Sequence, residues 1–244
     1  MDDTARIHYD AFLARICSWM CGSMEEQIRK NREFFSRHAL IPRDNQIAID
    51  LGAGNGCQSI ALAQLGFFVT AVDFCGELLE ELRMHAGDLR VRTLPGDIRD
   101  YSLWSGRSPA LITCMGDTLT HLRSLHEAEA LVRRCYSELD YGGRIVLSLR
   151  DYSQEQAGEV IVIPVQRDND RIFLCRLEYL DDTVTVRDIL YSRSTGRWRR
   201  TASPYTKIRI APVSLARMLA EAGFVREFYS ADNGTIIAIA RKDA

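Results

Sequence analysis

Apolar and polar positions follow two different periods along this chain, and the changes of period mark its elements. Between residues 3 and 38, Ile7, Phe12, Ile16, Trp19 and Met20 recur at near-helical spacing. The interruption at Cys21-Gly22-Ser23 predicts two helices there rather than one. A polar linker, Ile41-Pro42-Arg43-Asp44-Asn45, follows. Short apolar runs then alternate with amphipathic ones. Strands are expected near 46–51, 67–73, 90–94, 109–115 and 143–149, and helices over 57–65, 76–86 and 125–139. Gly66 stands where a helix C-cap glycine belongs. Ser124 and Glu127 form a capping box ahead of Leu125, Ala128, Leu131 and Val132. The stretch Arg99–Ser108 reads as an irregular connection holding a short helix. Alternation of this kind predicts an α/β fold, a doubly wound and mostly parallel sheet with helices on both faces.

The alternation stops after residue 151. Residues 152–210 read as four strand-like runs, 159–165, 171–179, 183–191 and 198–210. They are separated by turn chemistry at Asp168-Asn169-Asp170, Asp181-Asp182 and Ser194-Thr195-Gly196. This predicts an antiparallel β meander inserted after the fifth strand, beside the crevice where doubly wound sheets bind ligands. Beyond it, Pro212 and Ser214 open a helix that Gly223 closes. Two strands joined at Asp232-Asn233-Gly234 then predict a C-terminal antiparallel hairpin. The expected organisation is a helical cap over 1–40, a core of 41–151 with 211–244, and the inserted 152–210.

The densest chemical signal is Asp50-Leu51-Gly52-Ala53-Gly54-Asn55-Gly56-Cys57, where the first strand becomes a helix. Glycines here let a ligand lie against the main chain and the helix N–H groups point at it. Asp73, followed by Phe74, ends the next strand, where a carboxylate can accept both hydroxyls of a ribose. The pattern is not a dinucleotide fingerprint, because Cys57 occupies the third glycine position. Nor is there a P-loop. A ligand containing adenosine is implied.

The spacing resembles motif I of class I S-adenosylmethionine-dependent methyltransferases. That resemblance, over about residues 40–150 and 212–244, implies a Rossmann-like fold and S-adenosylmethionine as cofactor, with S-adenosylhomocysteine as product. It implies donor contacts from Asp50, Gly52, Ala53, Gly54, Gly56, Asp73, Phe74, Asp97 and Ile98. The stretch Cys114–Leu122 is similar to a Gly-Asn-Ser-x-x-His-Leu segment of glycine N-methyltransferase-like enzymes, through Gly116, His121 and Leu122. It implies that Met115, Gly116 and His121 line the donor site. Asp117 stands where those enzymes have Asn, an added negative charge that favours a cationic acceptor. Arg150 and Tyr152 match the end of a His-Arg-Asn-Tyr segment whose Arg grips a substrate carboxylate. Tyr9 and Trp19 fall in the segment whose aromatic residues close over the donor, with Trp19 on the cofactor and Tyr9, with His121, nearest the reacting atoms. The implied activity is in-line methyl transfer to a small amine or amino-acid-like acceptor.

Composition narrows this further. Charge is almost balanced, 31 basic against 33 acidic residues, which disfavours nucleic acid as the general partner. The run from Arg193 to Arg209 holds six basic residues with Trp198 and Tyr205 interleaved, so a nucleic-acid methyltransferase remains an alternative. A second alternative is a donor-binding regulatory module without turnover. The cysteine count, seven, is odd and suits a reducing cytoplasm better than a disulfide frame. Cys17 and Cys21 stand at i, i+4 and could share a metal, but no further Cys or His pair has ligand spacing, so packing and no metal are expected. No signal peptide or membrane-length apolar run is present, so no membrane contact is expected. Homo-oligomerisation is left open.

Overall fold

The computed structural model describes residues 3–243. The α/β core contains β1 (Ile47–Leu51), α4 (Cys57–Gln64), β2 (Phe68–Asp73), α5 (Gly76–Ala86), β3 (Val91–Pro95), β4 (Leu111–Cys114), α6 (Leu125–Glu138) and β5 (Arg144–Arg150). After the insert come α7 (Pro212–Ala222), β10 (Phe224–Asp232) and β11 (Thr235–Lys242). Seven strands form one sheet in the order β3-β2-β1-β4-β5-β11-β10. The pairs among β1 to β5 are parallel, and β11 is antiparallel to both β5 and β10.

Alternation along the strands feeds two cores. Ile49 and Leu51 of β1, Ile112 of β4 and Leu147 of β5 pack with Leu131 and Val132 of α6 and Leu215 and Leu219 of α7. The opposite face carries Ala48, Val69, Val146 and Ile239 against Ala61 and Leu62 of α4 and Phe35. Each fully buried Leu or Ile contributes about 1.5–3 kcal/mol. The helix ends follow the sequence signals. Gly66 (φ +107°) and Gly223 (φ +98°) take the left-handed conformation. Ser124 Oγ accepts from Glu127 N at 3.2 Å. Asn233 and Gly234 both have positive φ, as a two-residue hairpin turn needs. The irregular stretch holds a single tight turn, Tyr101–Leu103.

The insert is a separate antiparallel sheet of β6 (Val160–Arg167), β7 (Arg171–Tyr179), β8 (Thr183–Ser194) and β9 (Arg197–Ile208), in sequence order. Its inner face packs Leu177, Tyr179, Val184, Val186 and Tyr205 around Tyr152.

The N-terminal segment differs from the two expected helices. The second is intact as α3 (Met24–Arg37), capped by Ser23. The first is fractured into α1 (Asp3–His8), a π-turn at Tyr9–Leu13, a tight turn at Ala14–Ile16 and α2 (Cys17–Cys21). In a regular helix, residues i and i+3 share a face. Here Tyr9 meets Phe74 and His121, whereas Phe12 meets His8 and Phe173. The wider π-turn lets neighbouring rings serve both the core and the inserted sheet.

Candidate functional site

The glycine loop after β1 folds back over β2. Val72 O accepts from Gly52 N at 2.8 Å and Ala53 N at 3.1 Å. Gly54 has φ +55°, and a Cβ there would project into open space. Its bare main chain faces a cavity of about 190 Å³. Gly56, at φ +91°, has a different role, because a Cβ there would run into Leu82 of α5. It makes room for helix packing, and it is not among the residues that line the cavity.

Asp73 reaches the cavity from the end of β2. Its Oδ2 accepts from Gly54 N and its Oδ1 from Cys75 N, each at 2.8 Å. Burial pushes its carboxyl up to about 6, and the two backbone donors oppose the rise. Those two bonds leave acceptor capacity on the carboxylate for ligand hydroxyls. Asp50 was expected beside it but turns inward. It is 1% exposed and accepts from Ser59 Oγ at 2.6 Å and Thr113 Oγ1 at 2.8 Å. It braces β1 against α4 and β4 and does not face the cavity.

The far wall comes from β4 and the N-terminal segment. After Met115, Gly116 and Asp117 both have positive φ, 67° and 77°, and lead into a tight turn at Thr118–His121. β5 anchors this turn: Gly116 N donates to Ser148 Oγ at 3.0 Å and Asp117 N to Ser148 O at 3.1 Å. The turn delivers His121 to the cavity, 3.5 Å from Nε2 to Tyr9 Oη. The cavity thus unites the expected Tyr9, Gly52, Ala53, Gly54, Asp73, Phe74, Met115, Gly116 and His121. It also takes Asn55 of the glycine loop, Gln58 in the first turn of α4 and Thr118 of the turn after β4.

Other expected residues lie elsewhere. The Asp97 carboxylate is held by Arg99, with Nη2 to Oδ2 at 2.7 Å, and Ile98 is buried in the core under Trp104. Trp19 packs toward the inserted sheet, with the Arg171 guanidinium 4.2 Å from its ring centre. None of these three lines the cavity. Asp117 does not offer its charge to an acceptor. It accepts from Arg150 N at 3.0 Å, from Tyr152 Oη at 2.8 Å and from Lys207 Nζ. Arg150 itself is exposed, its guanidinium 5.8 Å from the Tyr152 ring centre, and the cavity wall includes neither residue. The expected carboxylate grip is therefore not part of this cavity.

Lys207 and Tyr205, both on β9, are the important residues that sequence reasoning missed. Lys207 read as one more member of a basic run. The signal was strand alternation, which turns Tyr205 and Lys207 to the same buried face. Tyr205 stacks on His8 at 4.2 Å and on His121 at 5.5 Å between ring centres. Burial pushes the His121 imidazole down to about 3; the Lys207 ammonium adds to this and Asp117 opposes it. His121 Nδ1 is buried without a hydrogen-bond partner. Burial also holds the Tyr9 hydroxyl protonated, well above its ordinary range.

The rest of the basic run divides in two. Arg209 donates to the carbonyls of Tyr152 and Leu180 at 2.9 and 2.6 Å, and Arg193 pairs with Asp170 at 3.0 Å. Arg197, Arg199 and Arg200 stay exposed near the tip of the β8–β9 hairpin. Among the described residues no group of acidic, cysteine and histidine side chains is arranged to hold a metal ion. No helix among them is long and apolar enough to cross a membrane.

Residues 48–143 match the family model of a methyltransferase domain. A ubiquinone biosynthesis O-methyltransferase of Xanthomonas axonopodis pv. citri is 32% identical over 102 residues, 41% of each chain. A glycine/sarcosine N-methyltransferase of Aphanothece halophytica is 30% identical over 122 residues, 49% of this chain and 46% of the relative. The chain spans less than half the length of these curated relatives. Among solved structures, the amino pentose methyltransferase CalS10 of Micromonospora echinaspora superposes with a TM-score of 0.73 at 17% identity, covering 91% of this chain and 92% of that one. The fold is that of the Rossmann-like methyltransferases, and the cavity is lined by residues of the stretch that matches the methyltransferase-domain model together with the N-terminal segment.

Proposed function

We propose that this chain is an S-adenosylmethionine-dependent methyltransferase that acts on the nitrogen of a small-molecule amine. The observation that carries the reading is the pairing of two unlike walls in one cavity. On one side stand the bare backbone of Gly54 and the Asp73 carboxylate, on the other a neutral His121 beside Tyr9.

The residues present fit the donor. Asp73 has acceptor capacity for a ribose diol, and the loop from Gly52 to Gly54 admits a ligand against the main chain. The cavity wall holds no lysine or arginine, and the Tyr9 and Phe74 rings stand 5.2 Å apart on it. Aromatic faces without a competing cation suit a positively charged sulfur. When bound, the donor supplies a methyl group already activated for in-line displacement.

This chain's residues then have to orient an acceptor and exclude water. An imidazole held down near 3 is a weak general base, so an acceptor that must first lose a proton is poorly served. A neutral amine needs no such step. Its N–H groups can donate to His121 and to the Tyr9 oxygen, which points its lone pair at the methyl group. His121 thus acts as a hydrogen-bonding partner, and its Nδ1, buried without a protein partner, keeps its hydrogen-bonding capacity unspent. The glycine/sarcosine N-methyltransferase named above is by its name an N-methyltransferase, which supports the same acceptor class.

The test is calorimetric titration of wild type and Asp73→Ala with S-adenosylmethionine, S-adenosylhomocysteine and NADH, followed by transfer of labelled methyl to a panel of amino sugars, amino acids and peptide N-termini. Binding of both adenosyl ligands, weakened by Asp73→Ala, with label reaching an amine, is expected. Binding of NADH alone, or label appearing only on hydroxyl acceptors, would overturn it.

A further inference from the structure

We infer that Lys207 is a positioning residue: delivered by the inserted sheet, it neutralises Asp117 and thereby keeps the adjoining His121 an uncharged hydrogen-bonding group at the acceptor end of the cavity. The inference deepens the methyl-transfer reading, on which it rests for its catalytic consequence only.

The geometry is an ion pair between two regions distant in sequence. Lys207 lies near the end of β9 and Asp117 in the left-handed turn after β4; Lys207 is buried and the Asp117 side chain is 16% exposed. The Asp117 carboxylate has three donors: Lys207 Nζ, Tyr152 Oη and Arg150 N. Burial alone would raise the Asp117 carboxyl, but the Lys207 ammonium, with the Arg150 N–H and His121 behind it, holds the group below its ordinary value. Lys207 is correspondingly held above its own: burial would lower it, and the Asp117 charge and hydrogen bond, together with Tyr205 and Tyr9, outweigh that. Both partners are therefore charged at neutral pH, and the pair is net neutral.

His121 is four residues beyond Asp117 and stacks on Tyr205, two residues from Lys207. The charged and titratable groups around it are few. Asp117 lies in its own turn, Lys207 and Tyr205 face it from β9, and His8 and Tyr9 face it from the N-terminal segment. Asp188 of β8 lies 3.1 Å behind His8, and Asp73 lines the far side of the cavity. Burial does most to keep His121 uncharged; Asp117 is the group that would draw a proton onto it, and Lys207 is what cancels that pull. Without Lys207, the Asp117 carboxylate keeps only two neutral donors, Tyr152 Oη and Arg150 N, and its charge acts on His121 without that opposing cation. An imidazolium cannot accept a hydrogen bond, so the acceptor amine would lose one of its two orienting contacts.

The pair also speaks to acceptor class. The one buried ammonium near the acceptor end is already committed to Asp117, and the cavity wall offers no other cation. An acceptor that brings a carboxylate next to its amine finds no charge partner there. The geometry therefore favours an amine without an adjacent carboxylate over an α-amino acid.

The experiment is a histidine-selective NMR titration of the full chain, with His121 assigned by His121→Gln. The variants are Lys207→Met, Lys207→Arg, and Asp117→Asn combined with Lys207→Met. His121 in wild type and Lys207→Arg should stay unprotonated down to pH 5. In Lys207→Met it should move up by about 1–3 pH units, and methyl transfer should gain an acidic limb at that pH. Removing both charges should return His121 to its wild-type behaviour, a rescue that a purely structural role does not predict. An unchanged titration in Lys207→Met, or no return in the double variant, would overturn the inference. Should Lys207→Met fail to fold, a His121 in the folded double variant that titrates above pH 5 would do the same. The titration needs no donor, so it stands apart from the methyl-transfer reading. That reading fails separately if the wild type transfers label to no amine while His121 behaves as stated.

Discussion

The two walls of the cavity are built in opposite ways. The donor-side wall comes from one continuous stretch, in which β1, the glycine loop, α4 and β2 bring Gly52, Gly54 and Asp73 together within about two dozen residues. The acceptor-side wall is assembled from three remote segments. Tyr9 comes from the N-terminal π-turn, His121 from the turn after β4, and the supporting Tyr205 and Lys207 from the inserted sheet. A local wall recurs wherever the same strand–loop–helix unit recurs. An assembled wall can change by altering any one segment, so it is where differences between related chains would concentrate.

Several substitutions would break or sharpen this contrast. The largest effect is expected for Asp73→Ala. It removes a charged acceptor from the ribose and from Gly54 N, each such bond being worth about 1.5–3 kcal/mol. S-adenosylhomocysteine affinity should fall by roughly 100-fold or more in calorimetry. The same carboxylate predicts a pH effect. Its pKa of about 6 in the free protein is raised, and ligand hydroxyls favour the ionised form. Affinity should therefore be level above pH 7 and drop by about tenfold per unit well below 6.

Next comes Gly56→Ala. It places a side chain at φ +91° against Leu82 and should cost about 2–4 kcal/mol in denaturant unfolding. Since Gly56 lies outside the cavity, donor affinity of the folded fraction should stay near wild type. Tyr9→Phe tests the other wall. It removes one hydroxyl with a 3.5 Å contact to His121, and turnover should fall by about tenfold while S-adenosylhomocysteine binding changes little. A large loss of donor binding in Tyr9→Phe would erase the distinction between the walls. The smallest effect is expected for Arg197, Arg199 and Arg200 changed together to Ala. They sit at the exposed hairpin end away from the cavity, so small-molecule methyl transfer should hold within about twofold. Steeply salt-dependent RNA binding that this variant loses would instead favour the nucleic-acid alternative.

The same contrast explains what could be read from the sequence. Strand and helix alternation, the four runs of the insert and the Asn-Gly hairpin are local signals, and each became an element close to its expected limits. The donor side was legible because a motif states geometry, though it blurred two kinds of residue. Asp50 and Gly56 belong to the motif's framework, bracing Ser59 and Thr113 or admitting Leu82, whereas Gly54 and Asp73 face the cavity. The acceptor side was legible only in part. Its fate depended on which face of β9 turned inward and on a partner 90 residues away, and neither is a property of neighbouring residues. Asp117 shows the result: its charge read as a lure for a cationic acceptor, but the protein supplies the cation itself.

The order of strands carries a consequence for how the molecule is made. β11 is the last strand in the chain, yet it is an interior strand, paired with β5 on one side and β10 on the other. Its Ile236, Ala238 and Ala240 are fully buried. During synthesis, β5 is exposed for the whole time that the insert and α7 are being added, with a row of unpaired backbone groups on its outer edge. The central sheet cannot close until residue 242 has left the ribosome. Loss of a few residues from this strand would therefore act on the middle of the sheet, and the unclosed nascent chain is the form most in need of a chaperone's cover.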